Sequence, residues 1–345
     1  EGVCLVLVAI LAQAQTERSS NPIPTSVLMG AMLGSLARSV YAVGLLGNML
    51  WTTALMNVVH LAPMSKAWKE GVCLVLTQLA WRIALLFAPW MSIQGDDDYA
   101  EQWGLVLSLM AEYDSEDVRE GKPRRPLFVL ANHTSFFDTV LGVAKLPVQV
   151  LWRCRTYMAG HLFSFPILST IGKSVGHFPV YFASDEDGVF KVDTKKMEPV
   201  EKRVDSHLQG GGWLSFFPEG QVNKSPEKIM PFRFGGMRKA LEFDARIVQL
   251  VFRGNEQVWP RKCQVGGFPG KVRYSMRPIA PDGARAFVQI ARAEGAKEEV
   301  DMPDHAILAK RAQELMQEQY EALAGDKQCA LSKLHGKLQK DRKKD

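Results

Sequence analysis

Residues 127–138 of the chain read LFVLANHTSFFD. The first five, Leu127–Ala131, form a short, continuous apolar run preceded by Pro126, and this pattern predicts a buried β-strand. A strand that ends in polar residues and then turns into a helix is where open α/β sheets place their active sites. The segment therefore predicts an α/β fold with its chemistry at the carboxyl end of this strand.

His133 and Asp138 lie five positions apart in the polar half of this segment. If Ser135 or a neighbour caps the following helix, Asp138 falls in its first turns, where the carboxylate can turn back toward His133. An imidazole held by a carboxylate can act as a general base, because the carboxylate stabilises the cation that forms. The pattern alone fits equally well a histidine that makes a local hydrogen bond at the start of a helix.

A second apolar run ends in a carboxylate at residues 213–220, which read WLSFFPEG. Three glycines at 210–212 precede the run and indicate a loop that leads into a strand. Pro218 and Gly220 end that strand and permit an unusual backbone path at Glu219. Two predicted strands thus end in polar groups, which favours a shared site over a solvent-facing turn at Glu219.

The segments Asn132–Asp138 and Phe217–Gly220 resemble the first and third signature blocks of the glycerolipid acyltransferases, which include the lysophosphatidate (1-acyl-sn-glycerol-3-phosphate) acyltransferases. Residues 172–181 and 247–252 lie where the second and fourth blocks are expected. The resemblance covers roughly residues 75–290. It implies an α/β fold in which a mixed β-sheet is flanked by helices, preceded by an apolar, membrane-associated helical region.

The resemblance also implies the chemistry of the site. His133 would remove the proton from the free hydroxyl of a lysophospholipid, which attacks the thioester of acyl-CoA, and Asp138 would orient His133. The implied product is phosphatidate, made for phospholipid biosynthesis. Acyl-CoA is the implied co-substrate, with no further cofactor and no acyl-enzyme intermediate.

The residues expected to bind substrate belong to the two blocks or carry a positive charge near them. They are Asn132, Ser135, Phe217, Pro218, Glu219, Gly220, Lys224 and Arg233. In the family, the third block usually continues with a threonine and an arginine that bind the acceptor phosphate, whereas here Gln221–Lys224 follow. Lys224, Lys173 or Arg233 could supply the charge, although a lysine binds phosphate only as a point charge.

Two alternatives stay open. Residues 217–223, FPEGQVN, also resemble the corresponding block of the tafazzins, which move acyl chains between phospholipids and lysophospholipids without coenzyme A. Their acceptor carries no terminal phosphomonoester, which fits a missing arginine. The other alternative is a membrane protein that keeps the scaffold and binds lipid without catalysis.

Apolar residues, 47% of this 345-residue chain, are concentrated in its first 93 residues. Residues 39–64 contain no Asp, Glu, Lys or Arg and exceed the ~20 residues needed to span a bilayer. The second apolar stretch, residues 71–93, has Arg82 at its centre, which is costly inside hydrocarbon. It therefore predicts a helix lying in the membrane interface, with Trp81 and Trp90 at headgroup depth.

These observations predict four segments: an uncertain N-terminal segment (1–26), membrane-anchoring helices (27–95), a catalytic domain (96–325) and a basic tail (326–345). The first segment is uncertain because residues 1–7 repeat residues 70–76 identically without a longer repeat. Within the catalytic domain we expect a helix over 232–243, strands over 247–252 and near 272–276, and an amphipathic helix over 304–324.

The partners expected from the sequence are lysophospholipid, acyl-CoA and the bilayer, with no nucleic acid and no obligate protein partner. The net charge is +5, and the cations that crowd the C-terminus fit equally well a segment that binds an anionic lipid surface and a solvated tail. Five cysteines without paired spacing argue against a zinc site. The expected location is the endoplasmic reticulum membrane facing the cytosol, with a mitochondrial or plastid membrane as the alternatives.

Overall fold

The computed structural model of the chain describes residues 25–116, 124–183, 191–294 and 301–325. The strands within these ranges, in chain order, are β1 (Met91–Gly95), β2 (Leu127–Ala131), β3 (Cys154–Ala159), β4 (Phe178–Val180), β5 (Phe182–Ala183), β6 (Lys191–Val192), β7 (Trp213–Phe216), β8 (Arg246–Arg253) and β9 (Gly270–Ala280). The helices are α1 (Thr25–Leu61), α2 (Lys66–Leu86), α3 (Tyr99–Glu116), α4 (Phe137–Lys145), α5 (Val148–Arg153), α6 (Pro166–Ser174), α7 (Thr194–Gln209), α8 (Phe234–Glu242), α9 (Asn255–Val258), α10 (Ala284–Glu294) and α11 (Asp304–Ala322).

Seven strands form one mixed sheet in the order β1-β9-β8-β2-β7-β3-β4. Strands β2, β3, β4, β7 and β8 run parallel, whereas β9 is antiparallel to β8 and β1 is parallel to β9. Strands β5 and β6 pair separately. The predicted mixed sheet flanked by helices is confirmed, and so are the predicted strands at 127–131 and 247–252.

The central strand β2 is buried along its whole length because helices cover both faces of the sheet. Its alternate residues Leu127, Val129 and Ala131 belong to the core cluster that also contains side chains of α1 to α5. Phe128 and Leu130 belong to the opposite cluster, with side chains of α7, α8, α10 and α11. A strand enclosed in this way reads as a continuous apolar run, which is why its position could be predicted.

The register of the sheet brings three strand ends together. Ala131 at the end of β2 is opposite Leu250 of β8, and Leu130 is opposite Phe216 at the end of β7. Because these three strands are parallel, the segments that follow them emerge at the same edge. The first and third signature blocks therefore meet at this edge, together with the segment that follows β8.

Helix α1 contains a 29-residue stretch, Leu33–Leu61, that could cross a membrane by its length and composition. Few of its apolar side chains are buried, and Leu61 and Trp51 are the most exposed. One buried exception is Tyr41, whose ring contacts the edge of Trp259 at a centroid distance of 6.3 Å. This contact fixes α1 against the sheet domain.

Helix α2 packs on the protein, and the prediction that Trp81 lies at headgroup depth was wrong. Trp81 is buried in the core beside α4 and α5, and Arg82 donates from Nε to the carbonyl of Ala144 at 3.0 Å. The carbonyls of the last turn of a helix attract a positive charge, so α4 supplies the partner that the sequence did not identify. Trp90, outside α2, donates its indole N–H to Gly267.

The division into four segments stays a prediction. Residues 1–24 and 326–345 lie outside the described residues, as does the first copy of the repeated heptapeptide. The second copy, at 70–76, is part of α2, where Glu70 forms an ion pair with Arg155 at 3.0 Å. Strand β1 pairs with β9, so the sheet begins before the expected domain boundary at residue 96.

Candidate active site

The turn between β2 and α4 is organised by the carboxylate of Asp138. This side chain is buried in the first turn of α4, and its Oδ2 accepts the backbone N–H groups of Thr134 at 2.6 Å and Ser135 at 2.8 Å. The same oxygen lies 3.0 Å from Nδ1 of His133. The carboxylate thus satisfies N–H groups that precede the helix and holds the imidazole, as the spacing of His133 and Asp138 predicted.

The buried hydroxyl of Ser135 stabilises the start of α4. Its hydroxyl accepts the N–H of Phe137, the first residue of α4, at 3.1 Å and donates to the carbonyl of Trp259 at 2.7 Å. Phe136 occupies the N-cap position without a side-chain hydrogen bond. Ser135 thus bonds to the start of the helix, as expected, from the position before the N-cap. Its side chain is fully buried, and its expected role in binding substrate stays a prediction.

Asn132 fastens β2 to β8. Its amide donates to the carbonyl of Phe252 at 2.9 Å and accepts the N–H of Phe252 at 2.7 Å. Asn132 is completely buried, and its expected role in binding substrate stays a prediction. Both hydrogen bonds act on the backbone at the end of β8, and they hold the two strand ends at a fixed spacing.

Glu219 is buried beneath the site and does not point into solvent. One carboxylate oxygen accepts the backbone N–H of His133 at 2.7 Å, and the other accepts the Asn223 side chain at 2.9 Å and the Met230 N–H at 3.0 Å. Burial raises the pKa of Glu219, and these three donors, with the charge of His133, oppose that rise. Glu219 therefore positions the backbone around His133, and its expected part in shaping the acceptor site stays a prediction.

The rest of the third block lies against the imidazole. Phe217 stacks on His133, with ring centroids 4.0 Å apart and planes 13° from parallel. Pro218 accepts the backbone N–H of Arg233 at 2.7 Å, and Gly220 takes the left-handed conformation at φ 72°. The stacked ring restricts how the imidazole can tilt.

Two of the three candidate cations lie beside this site. The backbone N–H of Asn223 donates to the carbonyl of His133 at 2.6 Å. Lys224 is the next residue in the chain, and its side chain is exposed. The exposed Arg233 side chain lies over Gly220. Lys173 is on α6, on the side of the molecule where the neighbouring Ser174 contacts His60 of α1.

Asn255, at the start of α9, was not anticipated. Its side-chain N–H₂ donates to Oδ1 of Asp138 at 2.6 Å, and the residue is completely buried. The sequence does show a polar residue directly after the glycine that follows the fourth-block strand, a position where a site residue is expected. Nothing in the sequence, however, indicated that its partner is Asp138, 117 positions away.

A family model described as Acyltransferase matches residues 112–253, which contain β2, β7, β8 and most of the site. Residues 112–253 belong to the acyltransferase family. The family relationship that the first and third blocks suggested is therefore confirmed.

Two curated proteins similar to this chain are the 1-acyl-sn-glycerol-3-phosphate acyltransferases of Neisseria gonorrhoeae and Neisseria meningitidis serogroup B. Each is 24% identical over 150 residues, which are 43% of this chain and 52% of the relative. The chain therefore spans about half the length of the curated relatives it matches.

A solved structure shares the fold of this chain. It is the 1-acyl-sn-glycerophosphate acyltransferase PlsC from Thermotoga maritima, which is 14% identical with a TM-score of 0.57. The match covers 86% of this chain and 99% of that one.

The assembled site presents an oriented imidazole at the edge of the sheet. Nδ1 of His133 is engaged by Asp138, one ring face is covered by Phe217, and the side chain is 18% exposed. Nε2 is therefore the nitrogen left to meet a substrate. In the described ranges, no group of three or more His, Cys, Asp or Glu side chains is arranged to hold a metal ion.

Replacing Glu219 by Gln should destabilise the protein by roughly 1–3 kcal/mol. Three donors point at the two carboxylate oxygens, so either orientation of an amide sets its N–H₂ against at least one of them. Urea unfolding of the detergent-purified chain, followed by tryptophan fluorescence, measures the loss. The matched control is Glu227→Gln, an exposed carboxylate in the same loop. Equal stability of the two variants would contradict the buried role of Glu219.

Proposed function

We propose that this protein is an O-acyltransferase that moves a fatty acyl group from acyl-CoA to the free hydroxyl of a lysophospholipid. The observation that carries the proposal is the contact between His133 and Asp138 at the carboxyl end of β2. Membership of residues 112–253 in the acyltransferase family supports it. The preferred acceptor is 1-acyl-sn-glycerol-3-phosphate, the substrate named for the Neisseria relatives.

In the proposed reaction, Nε2 of His133 takes the proton of the acceptor hydroxyl as its oxygen attacks the thioester carbonyl. The new C–O ester bond forms and the C–S bond breaks, so that coenzyme A leaves as a thiolate and recovers the proton from His133. Asp138 faces the imidazolium that exists between these steps and stabilises its charge. The thioester supplies all the driving force, so no metal or redox group is required by this balance.

We propose that the phosphate of the acceptor binds to the positively charged side chains beside His133. A phosphomonoester carries close to two negative charges at neutral pH, and Lys224 and Arg233 are exposed near the backbone that holds His133. Arg233 can offer two parallel N–H groups to a phosphate, which Lys224 cannot. We infer that this pair replaces the arginine that the third block lacks.

A second candidate function is tafazzin-like exchange of acyl chains between phospholipid and lysophospholipid without coenzyme A. The observation that favours it is the third block itself, in which Gln221 to Asn223 follow Gly220. The amide of Asn223 binds Glu219 and the carbonyl of Lys228, so this position is used for structure and not for a phosphate. The donor that supports turnover separates the two functions.

We further propose that the protein is attached to a membrane through α1. The stretch Leu33–Leu61 is long and apolar enough to span a membrane, and few of its apolar side chains are buried. Helix α2 contributes less to this surface because much of it packs on α4 and α5.

His133→Ala should lower the rate of acyl transfer by roughly 10²- to 10⁴-fold, the usual contribution of a general base. The assay offers labelled acyl-CoA or labelled phosphatidylcholine as donor, with lysophosphatidate, lysophosphatidylcholine or monolysocardiolipin as acceptor. His161→Ala, an exposed histidine outside the site, is the control.

Full activity in a folded His133→Ala variant would refute the mechanism. A wild-type protein that transfers no acyl group from either donor would favour a lipid-binding protein without catalysis. His133-dependent exchange from phosphatidylcholine alone would establish the tafazzin-like function.

Replacing Lys224 and Arg233 together by Met should raise the KM for lysophosphatidate about tenfold or more, because charge-assisted bonds to the phosphate are lost. The KM for acyl-CoA should change little. Lys195→Met, an exposed lysine at the start of α7, is the control. Unchanged kinetics with lysophosphatidate would remove both cations from the acceptor site.

The full chain should stay with the membrane pellet after alkaline carbonate extraction, since release would require the apolar surface of α1 to enter water. Leu36→Asp combined with Trp51→Asp should shift a large part of the protein to the supernatant. Leu107→Asp, an exposed apolar position on α3, is the matched control and should not. Extraction of the unmodified chain into the supernatant would refute a spanning α1.

A further inference from the structure

Asn255 is placed beside the catalytic pair by a backbone conformation that requires glycine. The preceding residue, Gly254, has φ 91°, a value that L side chains rarely adopt. A Cβ at this position would also collide with the carbonyl oxygen of Lys271 on the neighbouring strand β9. The chain therefore turns sharply at the end of β8, and this turn delivers the Asn255 side chain to Asp138.

The two oxygens of Asp138 have different neighbours. Oδ2 faces Nδ1 of His133 and the N–H groups of Thr134 and Ser135. Oδ1 accepts the Asn255 amide at 2.6 Å and a longer contact, 3.4 Å, from the Thr134 hydroxyl. Among the described residues, Asn255 thus makes the one short hydrogen bond to Oδ1.

The other end of the Asn255 amide is unsatisfied. Its Oδ1 is buried and has no hydrogen-bond partner within the described parts of the chain. An unpaired buried acceptor is unfavourable. A half-turn of the amide would be more unfavourable still, because Oδ1 of Asn255 would then face Oδ1 of Asp138. The side chain therefore keeps the orientation that serves the carboxylate.

We infer that Asn255 is a positioning residue for acyl transfer, which fixes the Asp138 carboxylate so that Oδ2 meets Nδ1 of His133. This inference rests on the proposed function. With Oδ2 held in place, the neutral imidazole carries its proton on Nδ1, and Nε2 is the basic nitrogen. Without the amide, Oδ1 keeps only the long contact from the Thr134 hydroxyl, so the plane of the carboxylate is held less firmly against the imidazole.

An amide suits position 255 better than a carboxylate does. An aspartate at position 255 would have the same shape, but it would put a second carboxyl group within hydrogen-bond distance of Asp138. Two carboxylates that share a site cannot both remain ionised easily, and one of them binds a proton. Glu256 already brings one acidic side chain near, and the charge of Asp138 adds to the effect of burial in raising the pKa of Glu256.

The test compares Asn255→Ala and Asn255→Asp with Gln257→Ala, an exposed position on the same short helix. Asn255→Asp fits the same space, so it remains informative if the alanine variant folds poorly. We expect kcat to fall roughly ten- to a hundredfold in Asn255→Ala, as for the loss of a hydrogen bond to a charged group. It should also fall in Asn255→Asp, because a proton shared by the two carboxyl groups lowers the negative charge that faces His133. KM for the acceptor should stay within about twofold in both variants. Gln257→Ala should match the wild type.

The second measurement does not depend on activity. In ¹⁵N spectra of the imidazole, wild-type His133 should show the Nδ1–H tautomer, and Asn255→Ala should show a mixture of both tautomers. Folded Asn255 variants with wild-type kcat, a rise confined to KM, or an unchanged His133 tautomer would each overturn the inference. If the wild type transfers no acyl group, the proposed function fails, and the tautomer still decides the role of Asn255.

Discussion

The buried carboxylate of Asp138 is the group around which the active edge of the sheet is built. An ionised carboxylate away from water is strongly unfavourable unless donors surround it. Within the described residues, five donors do so, from His133, Thr134, Ser135 and Asn255, with Thr134 contributing two. These donors come from the turn after β2 and from the segment after β8, so the carboxylate can be satisfied only when both strands are in register.

Glu219 performs a parallel task on the other side of the histidine. It accepts the backbone N–H of His133, while Asn223 donates to the carbonyl of the same residue. The histidine is thus held at its ring by Asp138 and at its backbone by the loop that follows β7. Because that loop also presents Lys224, the proposed general base and the proposed phosphate site are parts of one hydrogen-bonded unit.

The sequence predicted what depends on neighbours along the chain. Strand β2 was evident because it is apolar on both faces, and the approach of Asp138 to His133 follows from the geometry of a helix start. The burial of Glu219 could not be predicted, because a carboxylate after Pro218 reads as a surface turn until the loop that covers it is known.

Other features depended on contacts between distant segments. The partner of Asn255 lies in a different part of the chain, and no local pattern connects them. Trp81 was predicted to lie in the membrane interface, because the sequence of an apolar helix does not show whether protein or lipid covers it. In the structure, α4 and α5 cover Trp81. The catalytic role of His133 and Asp138 itself stays a prediction.

The left-handed turn at Gly254 has a consequence for how sequence variation in this protein should be interpreted. A side chain at 254 would meet the carbonyl of Lys271, move the end of β8 and withdraw the donor from Asp138. A saturation screen scored on activity would therefore rank this glycine with the histidine, although it offers no functional group to any substrate. Loss of function at position 254 would identify a defect of backbone geometry, and a search for catalytic residues by intolerance alone would misassign it.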